Sequence, residues 1–320
     1  MRYLILGGCG FIGSNLSKYL INSSQYNEIE IVDNLQTGSL SNIEDIWDQH
    51  YNERLKFHKI DITDQYFLEK YGQYKEDHIN VVFNLACPAS PVHYQSDPYG
   101  TVLTCTQGTT NALEIASITR ARYFQASTSE VYGNPSVHPQ PESYWGNVNP
   151  YGPRACYDEG KRVGETLCYI FKDMVDIRIG RIFNTYGPNM AINDGRVVSN
   201  LIVQALRGES LTICGSGNQT RSMCYIDDLI QAILTLMISN TKTPVNLGNP
   251  QEITMNELAE KILTITKSTS NIVYQPLPED DPERRRPDIS AINELGWSPK
   301  VSLDEGLEKT VHYFRSRLNG

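Results

Sequence analysis

Long apolar runs and an excess of basic charge are both lacking in this chain. None of its 320 residues belongs to a run of about 18 apolar residues, so the sequence predicts no membrane-spanning segment. Lys and Arg number 28 against 37 Asp and Glu, and the net charge of −9 argues against nucleic acid as the main partner. Local arginines can still bind a small anion. Residues 2–6 resemble a core strand rather than a signal peptide, so we expect no leader.

Cysteine pairs and metal-ligand clusters are lacking as well. The cysteine count is seven, which is odd, and no CxxC occurs. No group of His, Cys and Asp has the spacing of a metal site, so we expect no metal. Free thiols in a reducing cytoplasm fit this pattern best. The cysteines are Cys9, Cys87, Cys105, Cys156, Cys168, Cys214 and Cys224.

The first half of the chain alternates short β-rich runs with longer helical stretches. This alternation predicts an α/β fold, a doubly wound parallel sheet of the Rossmann type. The predicted strands are 3–6, 29–33, 55–59, 80–85, 122–126 and 176–184, and the predicted helices are 11–21, 41–50, 63–71 and 99–117.

After about residue 184, short strands and helices no longer alternate regularly. Helices are predicted at 196–206, 227–238, 254–267 and 303–318, short strands at 211–214 and 245–247, and a Pro- and charge-rich loop at 276–287. Thr254 and Glu257 have capping-box spacing at the start of one of these helices. We therefore expect a Rossmann domain in residues 1–184 and a smaller α/β lobe in residues 185–320, intertwined with the first.

A glycine-rich turn follows the first predicted strand and opens a helix. Gly7 permits the tight turn, Gly10 lets backbone N–H groups approach a pyrophosphate, and Gly13 lets the helix pack closely on the sheet. Asp33 ends the second strand, where a carboxylate accepts hydrogen bonds from both ribose hydroxyls and repels a 2′-phosphate. The pattern predicts a dinucleotide site that favours NAD over NADP.

A second group of residues carries alcohol-oxidising chemistry. Ser127 and Thr128 lie at the carboxyl end of the fifth strand, where ligands bind in such sheets. Tyr157 and Lys161 are four residues apart, so they share one face of a helix. A neighbouring ammonium and the positive ring of NAD⁺ are expected to lower the pKa of Tyr157, whose phenolate then takes a proton from a sugar hydroxyl.

The glycine turn, Asp33, Thr128, Tyr157 and Lys161 resemble the extended short-chain dehydrogenase/reductase family. Longer strings are similar, more narrowly, to the UDP-glucuronate decarboxylases, which form UDP-xylose. The resemblance covers essentially the whole chain. The strings are residues 84–91, 126–133, 144–150 continuing to 156–162, and 181–188, with supporting pieces at 194–200, 245–250 and 278–282.

This resemblance implies an NAD-dependent carboxy-lyase. Oxidation of C4 of UDP-glucuronate gives a β-keto acid that loses CO₂; C5 is then protonated, and the same NADH reduces the 4-ketone. Tyr157 and Lys161 serve as the C4 base and Thr128 holds the C4 oxygen. The resemblance also implies that Ser129, Glu130 and Arg285 surround the carboxylate and the C5 proton transfer, with their division of labour open.

Related reactions remain as alternatives. By the same resemblance, the 4,6-dehydratases carry Thr-Asp-Glu at this strand end. Here Ser129 stands in place of the aspartate that would protonate the leaving hydroxyl. The 4-epimerases usually lack the glutamate, so Glu130 is surplus to epimerisation. A 4-keto-pentose-forming enzyme is a third possibility, and a catalytically silent dinucleotide sensor belongs to a different class. Retention of Thr128, Glu130, Tyr157 and Lys161 together argues against a sensor.

The resemblance also implies binding residues and an assembly. Helices at 99–117 and 155–171 carry apolar faces of the kind that form a four-helix homodimer interface. Four residues depart from the family pattern: Cys214, Asn189, Leu103 and Gly100. We expect these departures to affect substrate affinity more than the type of reaction. Implied cofactor contacts, besides Gly7, Gly10, Gly13, Asp33, Tyr157 and Lys161, are Phe11, Ile12, Asn34, Thr37, Gly38, Asp61, Ile62, Leu85, Ala86, Thr104, Thr185 and Arg196. Implied substrate contacts are Pro88, Tyr94, Asn184, Arg221 and Arg285.

Overall fold

A parallel sheet flanked by helices organises the molecule. A computed structural model describes residues 1–51, 53–74, 78–278 and 284–319. In these residues a sheet of seven strands has the order 245–247, 177–182, 122–128, 81–84, 2–6, 28–33 and 55–59, and each neighbouring pair is parallel. This confirms the predicted doubly wound α/β fold. The predicted motif at 278–282 lies outside the described residues from 279 onward.

The strands of this sheet are short and apolar because helices cover both faces. Leu4, Ile5 and Leu6 in the first strand are completely buried. The sheet strands are β1 (Arg2–Leu6), β2 (Glu28–Asp33), β3 (Leu55–Lys59), β4 (Val81–Asn84), β5 (Arg122–Thr128), β6 (Ile177–Ile182) and β11 (Val245–Leu247). The remaining strands are β7 (Thr185–Tyr186), β8 (Leu211–Cys214), β9 (Thr220–Ser222), β10 (Cys224–Tyr225), β12 (Glu252–Thr254), β13 (Ile272–Gln275) and β14 (Arg284–Arg285).

Helices connect these strands. In the first part of the chain they are α1 (Phe11–Ser23), α2 (Glu44–His50), α3 (Gln65–Tyr71), α4 (Pro91–Ser96), α5 (Pro98–Leu103), α6 (Thr109–Thr119) and α7 (Ala155–Phe171). They continue with α8 (Val197–Arg207), α9 (Ile226–Ile238), α10 (Met255–Thr266), α11 (Ser290–Glu294) and α12 (Leu303–Asn319). Within the described ranges no helix has the length and apolar character needed to cross a membrane.

Several predicted boundaries were wrong for local reasons. The helix predicted at 99–117 is interrupted by a π-helical turn, Thr104–Gly108, between α5 and α6. The helix predicted at 63–71 begins only at Gln65, because the side chain of Asp64 accepts a hydrogen bond from the Tyr66 amide and caps it. The capping box of Thr254 and Glu257 is confirmed at the start of α10.

The second half of the chain contributes to the main sheet and also builds smaller ones. Its strand β11 pairs with β6 at the edge of the seven-stranded sheet. Beyond the main sheet, β9 lies between β12 and β14. The parallel pairing of β9 and β14 places Arg221 opposite Arg285, although residues 276–287 read as a loop in the sequence. Two predicted substrate residues therefore lie side by side.

Candidate active site

The glycine turn after β1 is tight enough to exclude side chains. Gly7 has a φ of +78°, and a Cβ on it would lie 2.9 Å from the backbone of Ala86. A Cβ on Gly13 would lie 2.2 Å from the carbonyl oxygen of Gly7. Gly10 forms the N-cap of α1 without a side-chain cap, which leaves N–H groups of the first helical turn pointing out of the turn. The turn therefore presents a cradle suited to a pyrophosphate.

Asp33 stands at the end of β2 beside this turn. Its carboxylate accepts hydrogen bonds from the amides of Cys9 (2.9 Å) and Leu35 (2.8 Å). Burial raises the pKa of Asp33, although both amide hydrogen bonds oppose the shift. Nearby, the Asn34 amide donates to Asp61 at 2.8 Å. Asp33 and Asp61 therefore both present carboxylates to the cleft beside the glycine turn.

A cleft of about 500 Å³ begins at the glycine turn. Most of the predicted cofactor residues line it, from the turn to the N-cap of α8. They are Gly7, Gly10, Phe11, Ile12, Gly13, Asp33, Asn34, Thr37, Asp61, Ile62, Leu85, Ala86, Thr104 and Arg196, together with the predicted substrate residue Pro88.

Four predicted cofactor residues do not line this cleft. Gly38 packs where a Cβ would lie 2.9 Å from the backbone carbon of Cys9. Thr185 is buried and donates to the Phe183 carbonyl at 2.9 Å. Tyr157 and Lys161 are buried on α7.

The cleft also contains residues that sequence reasoning missed. Ser90 lines it, and within the described residues its buried hydroxyl has no hydrogen-bond partner. Tyr313 and Arg317 of α12 line it from the other end of the chain, and Arg317 donates to Ser41 at 2.5 Å. The helix at 303–318 was predicted, but its place beside the cleft was not, because its residues reach the cleft only through tertiary packing.

The glycine cradle, the carboxylate at the end of β2 and the unpartnered Ser90 hydroxyl fit a dinucleotide. The cradle supplies backbone donors for phosphates, Asp33 supplies acceptors for a ribose, and Ser90 retains unused hydrogen-bonding capacity.

The Thr128 hydroxyl, predicted to hold the C4 oxygen, lies at the end of β5. Thr128 is the last residue of β5, and its hydroxyl accepts a hydrogen bond from the Glu130 amide at 3.3 Å. A 3₁₀ turn, Ser129–Tyr132, follows at once and buries Ser129 and Glu130. Tyr157 on α7 lies close enough to Thr128 for that hydroxyl to influence the pKa of the phenol. The structure thus brings Thr128, Ser129, Glu130 and Tyr157 together.

The expected lowering of the Tyr157 pKa is not seen in the protein itself. Burial raises the pKa of Tyr157 well above its usual range, and the Thr128 hydroxyl only partly opposes this. Lys161 directs its ammonium to the Ala126 carbonyl at 3.0 Å, and the nitrogen lies 5.6 Å from the centre of the Tyr157 ring.

Glu130 is held between two arginines. Arg285 Nη2 lies 2.7 Å from Glu130 Oε2, and its other terminal nitrogen contacts Oε1. Arg154 Nη2 also donates to Oε2 at 2.7 Å. Burial disfavours the charged carboxyl, but the two guanidinium groups outweigh it and lower the pKa of Glu130. Glu130 is therefore a carboxylate at neutral pH.

Arg154 is the most important residue that sequence reasoning missed. It is the N-cap residue of α7 and is only 8% exposed. Besides Glu130 it contacts Asp158 at 3.7 Å and lies 5.9 Å from the ring centre of Tyr94. The spacing of Arg154 from Tyr157 and Asp158 could be read from the sequence, but its contact with Glu130 could not.

Tyr94 connects this pocket to α4. Its ring stacks on Tyr157 with centres 5.0 Å apart and an angle of 8° between the planes. It is 1% exposed, and within the described residues its hydroxyl has no hydrogen-bond partner. An unpartnered buried hydroxyl beside the predicted catalytic tyrosine is suited to contact a polar substrate.

The other predicted substrate residues lie around the small sheets. Arg221 is 8% exposed, and Arg285 lies beside it on β14. Asn184 follows β6, and its carbonyl accepts from the Cys224 amide at 2.9 Å. In the described ranges no three His, Cys, Asp or Glu side chains are placed to hold a metal ion.

Comparison with known proteins supports the dinucleotide-binding site described above. The family model described as GDP-mannose 4,6 dehydratase matches residues 4–310. The chain belongs to this family, within the extended short-chain dehydrogenases/reductases.

Relatives that match nearly the whole of this chain carry a more specific name. The UDP-glucuronic acid decarboxylase 1 of Danio rerio is 49% identical, and the match covers 99% of this chain and 73% of the relative. The UDP-glucuronic acid decarboxylase 3 of Arabidopsis thaliana is 48% identical over 100% of this chain and 90% of the relative.

Solved structures share the fold. A UDP-glucose 4-epimerase from Thermotoga maritima, solved with UDP-glucose, superimposes with a TM-score of 0.88 at 29% identity, over 99% of this chain and 100% of that one. A variant of UDP-glucuronic acid 4-epimerase from Bacillus cereus, solved with NAD and a 4-deoxy-4-fluoro substrate analogue, gives a TM-score of 0.86 at 26% identity, covering 99% and 100%.

Proposed function

We propose that this protein is an NAD-dependent UDP-glucuronate decarboxylase that forms UDP-xylose. The observation that carries the proposal is the clamp of Arg154 and Arg285 on Glu130 beside Tyr157. A 4-epimerase also needs the C4 base, but it transfers no proton at C5, so a glutamate held beside Tyr157 favours decarboxylation over epimerisation. The names of the relatives at 48–49% identity support the same reaction.

The residues that would hold NAD are those of the cleft. Backbone groups at Gly7 and Gly10 would contact the pyrophosphate, and Asp33 would accept from the ribose. Bound NAD supplies the oxidation of C4 and the later reduction of the C4 ketone.

Proton transfer at C4 falls to Tyr157 and Thr128. In our proposal the phenolate of Tyr157 removes the C4 hydroxyl proton while Thr128 donates a hydrogen bond to the C4 oxygen. Burial raises the pKa of Tyr157; bound NAD⁺ would supply a positive charge that, together with the Lys161 ammonium, favours the phenolate. Deprotonation is thereby tied to cofactor binding.

Loss of CO₂ follows from the 4-ketone. The C5–C6 bond breaks, its electron pair enters the enolate, and the negative charge rests on the C4 oxygen beside Thr128 and Tyr157. Arg285 orients the departing carboxylate. A proton must then be added to C5, and Glu130 is a poor acid for this step because the two arginines keep it ionised. We assign Glu130 the task of positioning Arg285, and we assign the proton to the Ser129 hydroxyl or to water held beside it.

Residues 185–320 are proposed to bind mainly the nucleotide sugar. Arg221 is positioned beside Arg285 and provides a guanidinium for the diphosphate. Tyr94, Pro88 and Asn184 complete the proposed substrate contacts.

A homodimer is proposed in addition. α5 exposes Tyr99 (75%), and α7 exposes Tyr169 (68%) and Ile170 (59%), a set of large apolar side chains on the two predicted interface helices. The seven free cysteines support the further proposal that the protein works in the cytoplasm.

Incubation of the purified protein with UDP-glucuronate and NAD⁺ tests the reaction. We expect CO₂ release and a product with the mass of a UDP-pentose. A product that keeps the uronate mass would instead identify a 4-epimerase, and a free UDP-4-keto-pentose would identify an enzyme that stops before the final reduction.

A further inference from the structure

Two cysteines that the proposed reaction does not use lie against each other beside the catalytic lysine. Cys87 follows β4 in the loop before α4, and Cys105 lies in the π-helical turn, Thr104–Gly108. Their sulfur atoms are 3.4 Å apart. Closing this gap to the about 2.05 Å of a disulfide requires a movement of roughly 1.4 Å.

The surroundings distinguish the two thiols. Cys87 is partly exposed and lines the cleft, so a small oxidant can reach it. The hydrogen bond from Cys105, together with the ammonium of Lys161, lowers the pKa of Cys87 to about 7 against the opposing effect of burial. Cys105 is 3% exposed and packs against α7 at Gly160, where a Cβ would lie 3.1 Å from its sulfur.

We propose that Cys87 and Cys105 form a peroxide-sensitive dithiol, in which Cys87 is the attacking thiolate and Cys105 the resolving thiol. Reactive cysteines are reachable by the oxidant and lie near a positive charge, and Cys87 meets both conditions. Cys105 is in position to attack the oxidised sulfur because it is already in contact with it.

The oxidant is hydrogen peroxide, and the step balances with it. The Cys87 sulfur attacks one peroxide oxygen, the O–O bond breaks, and Cys87 sulfenic acid and one water form once a proton is taken up. The Cys105 sulfur then attacks the Cys87 sulfur, the S–O bond breaks, and the Cys105 proton leaves with the hydroxide as a second water. Both thiols lose one electron, and the peroxide is reduced by two.

The disulfide would also alter the active site. The Lys161 ammonium stabilises the Cys87 thiolate in the reduced protein, and the bond to Cys105 removes that thiolate and ties the cleft loop to the π-helical turn. We therefore expect oxidised protein to lose activity and to regain it with dithiothreitol. This expectation about activity rests on the proposed function, whereas formation of the disulfide does not.

Peptide mapping of the full-length protein tests the proposal directly. Reduced protein is treated with a small molar excess of hydrogen peroxide, the remaining thiols are alkylated with iodoacetamide, and proteolytic peptides are identified by mass spectrometry. We expect a cross-linked pair of peptides that joins Cys87 to Cys105. Recovery of both cysteines in alkylated form, or a disulfide from Cys87 to Cys156, would overturn the proposal.

Two variants separate the roles of the thiols. In Cys105→Ser we expect Cys87 to stop at the sulfenic acid and to be trapped by dimedone, because no resolving thiol remains. Cys214→Ser removes a partly exposed thiol on β8 and serves as the matched control, in which the Cys87–Cys105 link should form as in the unmodified protein. Absence of dimedone adduct at Cys87 in Cys105→Ser would contradict the assignment of Cys87 as the attacking residue.

Discussion

Arg285 and Glu130, 155 positions apart in the chain, form a two-point ion pair in a buried pocket. Arg285 reaches this position because β14 pairs with β9, and Glu130 does so because a 3₁₀ turn follows β5. Arg154 completes the arrangement from the start of α7. Three separate elements thus concentrate two positive charges on one carboxylate next to the proposed C4 base.

Tyr157→Phe removes the proposed base and should lower turnover at least about 100-fold. The stacking on Tyr94 is retained by the phenyl ring, so we expect the thermal midpoint and NAD affinity to change little. The assay is CO₂ release from UDP-glucuronate. Turnover equal to that of the unmodified protein would refute the catalytic assignment of Tyr157.

Arg154→Ala should reduce kcat more than it raises KM, because Arg154 acts through Glu130. It should also destabilise the fold by about 3 kcal/mol, since it breaks a buried ion pair. Arg154→Lys keeps the charge and is the matched variant, for which we expect partial rescue of both losses. Steady-state kinetics and urea unfolding measure the two effects. Equal kinetic damage from Ala and Lys would argue that charge at this position is unimportant.

The ion pairs of Glu130 predict a pH dependence of stability. Because the pKa of Glu130 is lowered by folding, its contribution is fully present above the unfolded value of about 4.3 and is lost as pH falls through the folded value. As pH falls below about 4.3, we expect the free energy of unfolding to decrease more steeply in the unmodified protein than in Glu130→Gln. Identical slopes from urea unfolding at several pH values would contradict this.

Asp33→Asn should weaken NAD binding about tenfold, because a charged acceptor for the ribose is lost. NADP should lose less or gain, since repulsion of the 2′-phosphate is relieved. Isothermal titration with both nucleotides measures the ratio. Asp45→Asn changes a carboxylate on α2 that does not line the cleft, and is the control. An unchanged NAD to NADP ratio in Asp33→Asn would count against the assignment of Asp33.

A charge placed on the proposed interface should dissociate the dimer. Val163 and Ile170 are 39% and 59% exposed and lie seven positions apart on α7, so they share one face. We expect sedimentation analysis to give a dimer mass for the unmodified protein and a monomer mass for Val163→Glu/Ile170→Glu. Tyr26→Glu changes another exposed apolar residue (76%) and should remain dimeric. A monomeric unmodified protein at micromolar concentration would refute the homodimer.

Local patterns were enough to predict much of the fold. The glycine turn and alternating apolar runs predicted the parallel sheet, because such strands are buried on both faces and read directly from hydrophobicity. The π-helical turn at Thr104–Gly108 was not predictable, since it lies between α5 and α6 and was predicted as part of one continuous helix.

The candidate site was predictable only in part. Thr128, Tyr157 and Lys161 were placed by their positions on a strand end and a helix face. The partnership of Arg154 with Glu130 depends on tertiary packing, and the direction of the Tyr157 pKa depends on burial. Neither the Arg154–Glu130 contact nor the direction of the Tyr157 pKa shift can be read from spacing along the chain.

Product formation in deuterated water tests the central claim most directly. The protein is incubated with UDP-glucuronate and NAD⁺ in D₂O, and the product is examined by mass spectrometry and proton NMR. Our account predicts a UDP-pentose that carries one deuterium at C5, because CO₂ leaves C5 and a solvent-derived proton replaces it. A product that retains the carboxylate, or a pentose without deuterium at C5, would contradict the account.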